Sequence, residues 1–504
     1  MTKSALVTSG DPADGEFSRA ALERVTGSPE IRSNAVSLQF DGPSTFSAWL
    51  EAIEAAQRFV HFENYVLRDD RVGRRFRDVL VEKASEGVQV RVLYDWVGCW
   101  ATPRKYWKSF RAAGVEVRAF NRPSLRDPLG VLQRDHRKLV CVDGTVAFVG
   151  GFCVGIEWAG TRDQPPWRDT GLEVRGPAAA LAATAFERIW SETGDAIPED
   201  LTDRPEPGEG PGECSVWLIE GEPWRARVQR TLQFVAASVR RRLWITDPYF
   251  VAPRSLSDAL AAAARQGVDV RVLLPANNNW PVVGSLSRGG YRPLLQAGVR
   301  LFEWQGPMIH AKTSVADGMW CRVGSSNLNA ASLLGNWEID VGVMDASLAG
   351  QLEGLFMADL ASSVEIVLPG SRSLQKSESV GALLPHDSLT PLDPEGSLAS
   401  RLEAMIAAGT GVAPLRMAQL VRAGTTFGGA LAGRRTLGRE DRTILGTVSV
   451  IMLAVAVLAA LFPTAMGWAL TVGLGWIGMV TGVRAIAHRR RARIESSPEP
   501  GDTP

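Results

Sequence analysis

The sequence predicts an α/β protein made of two pseudo-symmetric lobes, followed by a pair of membrane-spanning helices near the C-terminal end. Three features of the 504-residue chain support this prediction: an internal repeat, regular alternation of helix and strand patterns within each half, and two uncharged runs near the end. Chains of this length usually hold two or three domains. With 45% apolar and 22% charged residues, the composition is that of a globular protein with some membrane character.

Four segments of the first half recur in the second half, in the same order and at a nearly constant offset. The paired segments are 58–67 with 242–251, 86–95 with 266–275, 112–123 with 296–307, and 135–151 with 309–325. In each half, a helical pattern that ends in glycine precedes a valine-rich strand. Glycine commonly ends a helix, and alternation of helices with strands is typical of sheets flanked by helices. We therefore expect mixed sheets with flanking helices in both lobes.

Changes in composition divide the chain further. Residues 200–212 are rich in proline, glycine and acidic side chains, which is typical of a connection between lobes. The predicted organisation is an N-terminal tail (1–35), a first lobe (36–205), a second lobe (206–368), a linker (369–440), a transmembrane hairpin (441–488), and a cytoplasmic tail that is basic and then disordered (489–504). Within the linker, residues 399–436 combine apolar spacing with arginines, and a membrane-facing amphipathic segment or ordinary surface helices explain this equally well.

Two runs without a charged residue, 443–462 and 465–483, predict the transmembrane hairpin. Each run, of about 20 residues, is long enough to cross a hydrocarbon core of roughly 30 Å. Arginines flank the outer ends, whereas the turn at Pro463 and Thr464 carries none, so both ends are expected in the cytoplasm. The N-terminal segment lacks the apolar run of a signal peptide, and the five cysteines contain no CxxC pair, which agrees with this orientation.

Two His-x-Lys-x4-Asp motifs mark the candidate active site. The copies are His136, Lys138 and Asp143 in the first half, and His310, Lys312 and Asp317 in the second. Residues two apart on a strand point to the same face, so each imidazole is expected beside an ammonium group. Each aspartate is followed by glycine, a turn signal that predicts a β-hairpin. Because the chain has only five histidines, chance rarely places two of them in matching positions of a repeat.

The two hairpins would form one site if the lobes pack about a pseudo-twofold axis. The lysines and backbone N–H groups would then bind a phosphate and stabilise the charge of the transition state, so that no metal or other cofactor is required. One neutral histidine would attack phosphorus, and the other would protonate the leaving oxygen. Asp169 and Glu338, which open later strands, would orient the imidazoles. Tyr65 and Tyr249 also match in the repeat, and pocket lining or rim packing explains them equally well.

Both motifs resemble the HKD motif of the phospholipase D superfamily, and the wider pattern is similar to its bacterial cardiolipin synthase branch. The resemblance covers about 36–367 and is carried by HRKLVCVDGTVAFVGG, WRDTGLEVRGPA, ITDPYF, VGSSNLNAAS and NWEID. It implies transfer of a phosphatidyl group from one phosphatidylglycerol to another through a phosphohistidine intermediate. It also implies that His136 is the nucleophile and His310 the general acid and base, an order that the sequence alone leaves open.

Positions after the motifs complete the candidate phosphate-binding set. Ser325 and Asn327 stand at the family spacing in the second half, and the resemblance implies that they contact phosphate. In the first half Gly151 replaces the serine, and Cys153 stands where the family usually has asparagine. Because a thiol is a weak hydrogen-bond donor, this change weakens the first half of the set. The predicted hairpin also lies at the C-terminal end, whereas familiar cardiolipin synthases carry theirs near the N-terminus.

The leading hypothesis is a phosphatidyltransferase that acts on phosphatidylglycerol or a related phospholipid at the cytoplasmic membrane. Hydrolysis of the same intermediate to phosphatidic acid is the alternative, because the same residues serve both reactions and only exclusion of water separates them. A nuclease is less favoured, and no nucleic acid partner is expected, since 55 basic residues balance 55 acidic ones. An inactive membrane scaffold stays open because of Cys153, and the sequence predicts no oligomeric state.

Overall fold

A computed structural model describes residues 17–123, 132–198, 202, 210–368 and 479. Contacts divide the chain into two compact units, one of Met1–Phe120 with Arg134–Gly433 and one of Asn121–Gln133 with Arg434–Pro504, and every helix and strand given below belongs to the first. The predicted linker, its amphipathic segment, the hairpin (apart from Met479) and the C-terminal tail lie outside the described residues. Within the described residues, no helix is long and apolar enough to span a bilayer.

The first half alternates helices and strands, as the repeat predicts. Its elements are α1 (Arg19–Thr26), β1 (Ile31–Gln39), α2 (Gly42–Glu54), β2 (Phe59–Asn64), α3 (Arg71–Ser85), β3 (Gln89–Asp95), α4 (Arg104–Ala112), β4 (Glu116–Phe120), β5 (Lys138–Val142), β6 (Val146–Gly150), α5 (Ile156–Ala159), β7 (Gly171–Arg175) and α6 (Pro177–Glu192). Strands β2, β3 and β4 are parallel, whereas β2, β5, β6, β7 and β1 pair in antiparallel order. The sheet is therefore mixed.

The second half repeats this arrangement. Its elements are β8 (Cys214–Gly221), α7 (Arg227–Ser238), β9 (Arg242–Thr246), α8 (Arg254–Arg265), β10 (Asp269–Pro275), α9 (Pro281–Gly289), α10 (Tyr291–Gln296), β11 (Arg300–Trp304), β12 (Thr313–Ala316), β13 (Trp320–Gly324), α11 (Ala330–Gly335), β14 (Glu338–Met344), α12 (Ala346–Ala361) and β15 (Ser363–Ile366). Here β9, β10 and β11 are parallel, and β9, β12, β13, β14 and β8 pair in antiparallel order. The prediction of two related α/β lobes with mixed sheets is confirmed.

The two lobes meet at strands β1 and β8, where Ile31 lies opposite Val216 in an antiparallel pair. This pairing joins all fifteen strands into one hydrogen-bonded order, β15-β11-β10-β9-β12-β13-β14-β8-β1-β7-β6-β5-β2-β3-β4. Read outwards from the centre, the order of equivalent strands is the same in both lobes except for the edge strand β15. The lobes are thus related halves of one continuous sheet.

One pairing of the sequence repeat is shifted by a residue in the structure. The backbone N–H groups of the two motif aspartates donate to the carbonyls of Phe59 and Arg242, which are therefore equivalent positions. The following helices α3 and α8 begin at Arg71 and Arg254, which gives the same offset. Segment 58–67 therefore corresponds to 241–250, and the predicted match to 242–251 is wrong by one residue. A one-residue insertion or offset in a loop is invisible to a comparison of apolar patterns.

Buried apolar side chains form three clusters. The first combines strands of both lobes with α6 and α12, and it includes Leu139, Val174, Val341 and Phe356. The second packs α7, α8 and α10 onto the second-lobe strands, and the third packs α2, α3 and α4 onto the first-lobe strands. Strands β5, β6 and β14 are buried along their whole length. The sequence of β6 is a continuous apolar run, whereas β5 and β14 also bury charged side chains. Shared apolar burial therefore fixes the two lobes against each other.

A glycine on β14 tests how tightly this core is packed. An added Cβ on Gly342 would lie 2.2 Å from the buried ring of Trp320. We expect Gly342→Ala to lower the free energy of unfolding by about 2 kcal/mol, because the indole has to move. Gly350 in α12 has open space around it, and Gly350→Ala is expected to raise that free energy by about 0.5 kcal/mol or more. Urea unfolding measures both, and equal effects would contradict the packing argument.

Candidate active site

The two motif histidines lie just before equivalent strands, at the boundary between the lobes. His136 precedes β5 and His310 precedes β12, and both side chains are buried. The backbone N–H of His136 donates to the carbonyl of Trp337 at 2.9 Å, and that of His310 donates to the carbonyl of Arg168 at 2.7 Å. Both hydrogen bonds cross from one lobe to the other. Each histidine is therefore held in place by the opposite half of the chain.

Each imidazole also contacts a buried carboxylate from the opposite lobe. Nδ1 of His136 lies 2.9 Å from Oε2 of Glu338, and Nδ1 of His310 lies 2.6 Å from Oδ2 of Asp169. The structure thus places each histidine beside one of the two carboxylates that the sequence suggested as partners. A carboxylate at Nδ1 holds the proton on that nitrogen, so Nε2 is the ring nitrogen that stays available for chemistry.

The carboxylate of Glu338 is surrounded by short polar side chains. Ser325 donates its hydroxyl to Oε2 at 2.6 Å, Ser332 donates to Oε1, and the amide of Asn336 lies 3.4 Å from Oε1. Burial raises the pKa of Glu338 to about 7, although Lys138 and these hydrogen bonds act in the opposite direction. Ser325, which was expected to contact phosphate, therefore lies where it orients Glu338.

The carboxylate of Asp169 is held differently. The indole N–H of Trp158 donates to Oδ2 at 2.8 Å. Gly151 leaves the space that the carboxylate fills, since a Cβ at that position would be 2.0 Å from Oδ1. Burial raises the pKa of Asp169, but the nearby His310 and Lys312 outweigh burial and lower this pKa to about 2. Asp169 is therefore ionised at neutral pH, whereas Glu338 titrates near it.

Both motif lysines are fully buried beside their histidines. Nζ of Lys138 donates to the carbonyl of His136, and Nζ of Lys312 donates to the carbonyl of His310 and lies 2.9 Å from its Nδ1. Burial lowers the pKa of Lys312 to about 8, and burial with Lys312 lowers the pKa of His310 to about 4. His310 is therefore neutral at pH 7. Among the described residues, no group of His, Cys, Asp or Glu is arranged to hold a metal ion.

Aromatic rings surround the histidines. The ring of Tyr65 lies 4.7 Å from that of His136, and Tyr249, Trp158 and Trp167 lie 5.5–5.9 Å from that of His310. Tyr65 and Tyr249 occupy positions that differ by one residue in the structural repeat, yet each contacts the histidine of its own lobe. The sequence did not predict the contact of Trp158 with Asp169. In the second lobe the orienting carboxylate receives a serine hydroxyl, whereas in the first lobe an indole N–H takes that role.

The two motif aspartates lie at turns and are not brought to the imidazoles. The carboxylate of Asp317 accepts hydrogen bonds of 2.8–2.9 Å from the backbone N–H groups of 240–242, and that of Asp143 accepts equivalent bonds from 57–59. At about 3.3 Å per residue, the five steps from Lys138 to Asp143 span about 16 Å. These contacts anchor the chain that enters β2 and β9.

Asn327 and Cys153 occupy equivalent, buried positions of the repeat. The backbone N–H of Asn327 donates to Oγ of Ser332 at 2.9 Å, and the Asn327 carbonyl oxygen Oδ1 has no hydrogen-bond partner in the described part of the chain. Burial raises the pKa of the Cys153 thiol, while Lys138 and Lys312 are close enough to lower it in part. Cys153 therefore borders the charged centre formed by the histidines and lysines, and Asn327 occupies the equivalent position of the second lobe.

Both His-x-Lys motifs lie in parts of the chain that match known proteins. A family model described as "Cardiolipin synthase, PLD-like domain" matches residues 49–161 and 235–360. Cardiolipin synthase A of Pseudomonas aeruginosa (strain LESB58) is 35% identical over 365 residues, which cover 72% of this chain and 74% of that protein. Cardiolipin synthase A of Pseudomonas fluorescens (strain SBW25) is 34% identical over 365 residues, with 72% and 76% covered.

A solved structure shows that the fold is shared more widely. The crystal structure of phosphatidylserine synthase from Haemophilus influenzae matches with a TM-score of 0.56 at 16% sequence identity. The match covers 69% of this chain and 91% of the other. At this level of identity, the likeness concerns the fold alone.

The contacts of Asp317 predict an effect on stability. We expect Asp317→Ala to lower the free energy of unfolding by about 2–4 kcal/mol, because three backbone N–H groups lose their acceptor. Asp258, exposed on α8 with only a 3.6 Å contact to Arg254, is the matched control, and Asp258→Ala is expected to change stability by about 0.5 kcal/mol or less. Urea unfolding measures both. Unchanged stability combined with lost turnover would favour a direct catalytic role instead.

The raised pKa of Glu338 predicts a pH-dependent stability. This pKa lies at about 7 in the folded protein, against an ordinary value of 4.5. A carboxyl group of this kind contributes stability that is fully present below pH 4.5 and is lost as the pH rises through 7. Because glutamine does not titrate, wild type is expected to lose stability relative to Glu338→Gln across this range.

The free energies of unfolding of wild type and Glu338→Gln are measured at pH 4.5 and at pH 7, and the difference between the two proteins is compared at the two pH values. His310, whose pKa burial lowers, has the opposite dependence: its contribution is present above pH 6.5 and is lost as the pH falls through about 4. His310 is present in both proteins, so its contribution largely cancels. A difference that does not change with pH would show that folding does not raise the pKa of Glu338.

Proposed function

The chain belongs to the cardiolipin synthases of the phospholipase D superfamily, and we propose that it moves a phosphatidyl group from one phosphatidylglycerol-like lipid to a headgroup hydroxyl of another. One observation carries this proposal. Two buried imidazoles, each on a carboxylate of the opposite lobe, lie beside two buried lysines. That set can bind a phosphodiester, attack its phosphorus and protonate its leaving group.

In the first step, we take His136 as the nucleophile, as the family resemblance implies. Its Nε2 forms a bond to phosphorus while the bond from phosphorus to the glycerol oxygen breaks. His310 gives its proton to that oxygen, and glycerol leaves. In the protein alone the pKa of His310 is lowered to about 4 by burial and Lys312. The negative phosphodiester offsets Lys312 and so favours the protonated imidazole that this step needs.

In the second step, a hydroxyl of the acceptor lipid attacks the phosphohistidine. Its proton passes to His310, a new phosphorus–oxygen bond forms, and the phosphorus–nitrogen bond to His136 breaks. Glu338 holds the His136 imidazole in one tautomer through both steps, since it contacts Nδ1. The enzyme returns to its starting protonation state, and neither step requires a metal.

The lysines and the polar side chains behind the motifs would hold the phosphate. Lys138 and Lys312 supply two positive charges next to the imidazoles, which stabilises the extra charge of a five-coordinate transition state. Asn327 would donate from its side-chain amide, whereas Ser325 would act indirectly through Glu338. In the first lobe, Gly151 and Cys153 offer no comparable donor, so the second lobe would bind the phosphate oxygens more strongly.

We further propose that the reaction takes place at the cytoplasmic face of a membrane. A two-chain phospholipid stays within the bilayer, so the enzyme has to work at that surface. The predicted hairpin at 441–488 would attach the lobes there, with its flanking arginines on the cytoplasmic side. Support for this part of the proposal comes from the sequence pattern.

To test the reaction, purified full-length protein is incubated with labelled phosphatidylglycerol in mixed micelles that contain EDTA. We expect cardiolipin and glycerol in equal amounts. His136→Ala and His310→Ala are each expected to reduce the rate by about a thousandfold or more, because each removes a group that forms or breaks bonds. Phosphatidic acid as the main product would identify a hydrolase instead.

A third histidine supplies the matched control. His61 is buried between the rings of Phe59 and Phe186, at 4.5 and 4.4 Å, within the same lobe as His136. His61→Phe preserves an aromatic ring in that stack and is expected to keep the activity. Full activity of either His136→Ala or His310→Ala would exclude a shared two-histidine site, and loss of wild-type activity in EDTA would exclude the metal-independent mechanism.

A further inference from the structure

An open cavity of about 420 Å³ lies in the first lobe, outside the histidine–lysine centre. Its wall includes the side chains of Arg68, Asp69, Asp70, Thr102 and Glu157. The lining therefore combines one guanidinium, three carboxylates and a hydroxyl. Ala101, Pro103 and Ile156 complete the wall, so apolar surface lies between the charged groups. The charged side chains suit a polar headgroup better than an acyl chain.

Two chain segments connect this cavity to the reacting groups. Tyr65 contacts the ring of His136, and Arg68 follows three residues later in the same segment. Trp158 donates to the carboxylate that orients His310, and Glu157 is its immediate neighbour in the chain. At about 3.3 Å per residue, the backbone of Arg68 lies within about 10 Å of that of Tyr65. The same two segments thus carry both the wall of the cavity and side chains that contact the reacting groups or the carboxylate that orients one of them.

The fold itself does not require these charges. Helices α3 and α8 begin at equivalent residues, so the positions of the second lobe that correspond to the cavity wall can be assigned. The charged residues Arg68, Asp69, Asp70 and Glu157 correspond to Val251, Ala252, Pro253 and Ala331. The second lobe thus builds the same helix, strand and loop with uncharged residues. The charged wall is an addition specific to the first lobe.

The contacts in the wall show which groups are available to a ligand. Both oxygens of Asp70 accept backbone hydrogen bonds, and Asp69 pairs with Arg74 at 2.7 Å. Arg68 uses only Nε, which lies 3.3 Å from Oε1 of Glu157, and its terminal nitrogens have no hydrogen-bond partner in the described part of the chain. Oε2 of Glu157 is a buried acceptor that also lacks a partner there. An anion at Arg68 and a hydroxyl at Glu157 would satisfy both.

We propose that this cavity binds the headgroup of the acceptor lipid, a glycerol joined to a phosphodiester. Arg68 binds the phosphodiester of the acceptor, and Glu157 accepts a hydrogen bond from the glycerol hydroxyl that does not react. The other hydroxyl then points to the phosphohistidine. This inference rests on the proposed transferase function and names the site of its second substrate. The first lobe then binds the acceptor lipid, whereas the polar side chain that would hold the reacting phosphate, Asn327, belongs to the second lobe.

The test separates transfer from cleavage. Full-length protein is incubated with labelled phosphatidylglycerol in mixed micelles, and cardiolipin, phosphatidic acid and glycerol are quantified. In Arg68→Met and Glu157→Gln, the ratio of cardiolipin to phosphatidic acid is expected to fall about tenfold, because each change removes one charge-assisted hydrogen bond to the acceptor. Glycerol release is expected to persist, since water replaces the acceptor in the second step.

Arg254→Met is the matched control, because Arg254 is an exposed arginine at the start of the equivalent helix of the second lobe. It is expected to leave the product ratio unchanged. A wild-type ratio in both cavity variants would overturn the acceptor site. A parallel loss of cardiolipin and glycerol would also overturn it, since that result indicates a structural effect. If wild type itself forms only phosphatidic acid, the transferase function fails, which is a separate outcome.

Discussion

The arrangement of the site depends on one interaction made twice, the contact between an imidazole of one lobe and a buried carboxylate of the other. His136 contacts Glu338, and His310 contacts Asp169. Backbone hydrogen bonds between the lobes accompany both contacts. A buried carboxylate without a partner is strongly destabilising, so each lobe is completed by the other. The continuous sheet through β1 and β8 and the shared apolar core hold the lobes in the relative position that these contacts need.

The two contacts are built from different side chains, and this difference explains why glycine replaces serine at position 151 of the first half. Glutamate reaches hydroxyl groups of Ser325 and Ser332, whereas the shorter Asp169 fills the space over Gly151 and receives the indole N–H of Trp158. A serine at 151 would clash with that carboxylate. Gly151 is therefore a steric requirement of the Asp169 side, and Trp158 replaces the missing donor.

Much of this architecture follows from the sequence. The repeat and the glycine-terminated helix patterns predict two α/β lobes, and the paired motifs identify the histidines and lysines that the structure brings together. The crossing of the carboxylates between lobes is not predictable in this way, because Asp169 and Glu338 each follow the motif of their own lobe in the chain. The anchoring contacts of Asp143 and Asp317 are not predictable from the motif either. A motif gives the spacing of residues along the chain but not where each side chain lies in space. The one-residue offset at Phe59 and Arg242 is also not predictable, since the apolar residues of the two segments can be aligned equally well with or without it.

The electrostatics of the site follow from the same crossing. Two lysines, two carboxylates and two imidazoles are buried together. Lys312 interacts electrostatically with Asp169 and Lys138 with Glu338, which offsets part of the cost of burying these charges. The pKa of Asp169 falls to about 2 beside His310 and Lys312, whereas burial raises that of Glu338 to about 7. One histidine therefore faces a permanent negative charge, and the other faces a group that gains or loses a proton near neutrality. Related lobes with identical His-x-Lys motifs thus give two chemically different histidines, which is the condition for one to act as a nucleophile while the other transfers protons.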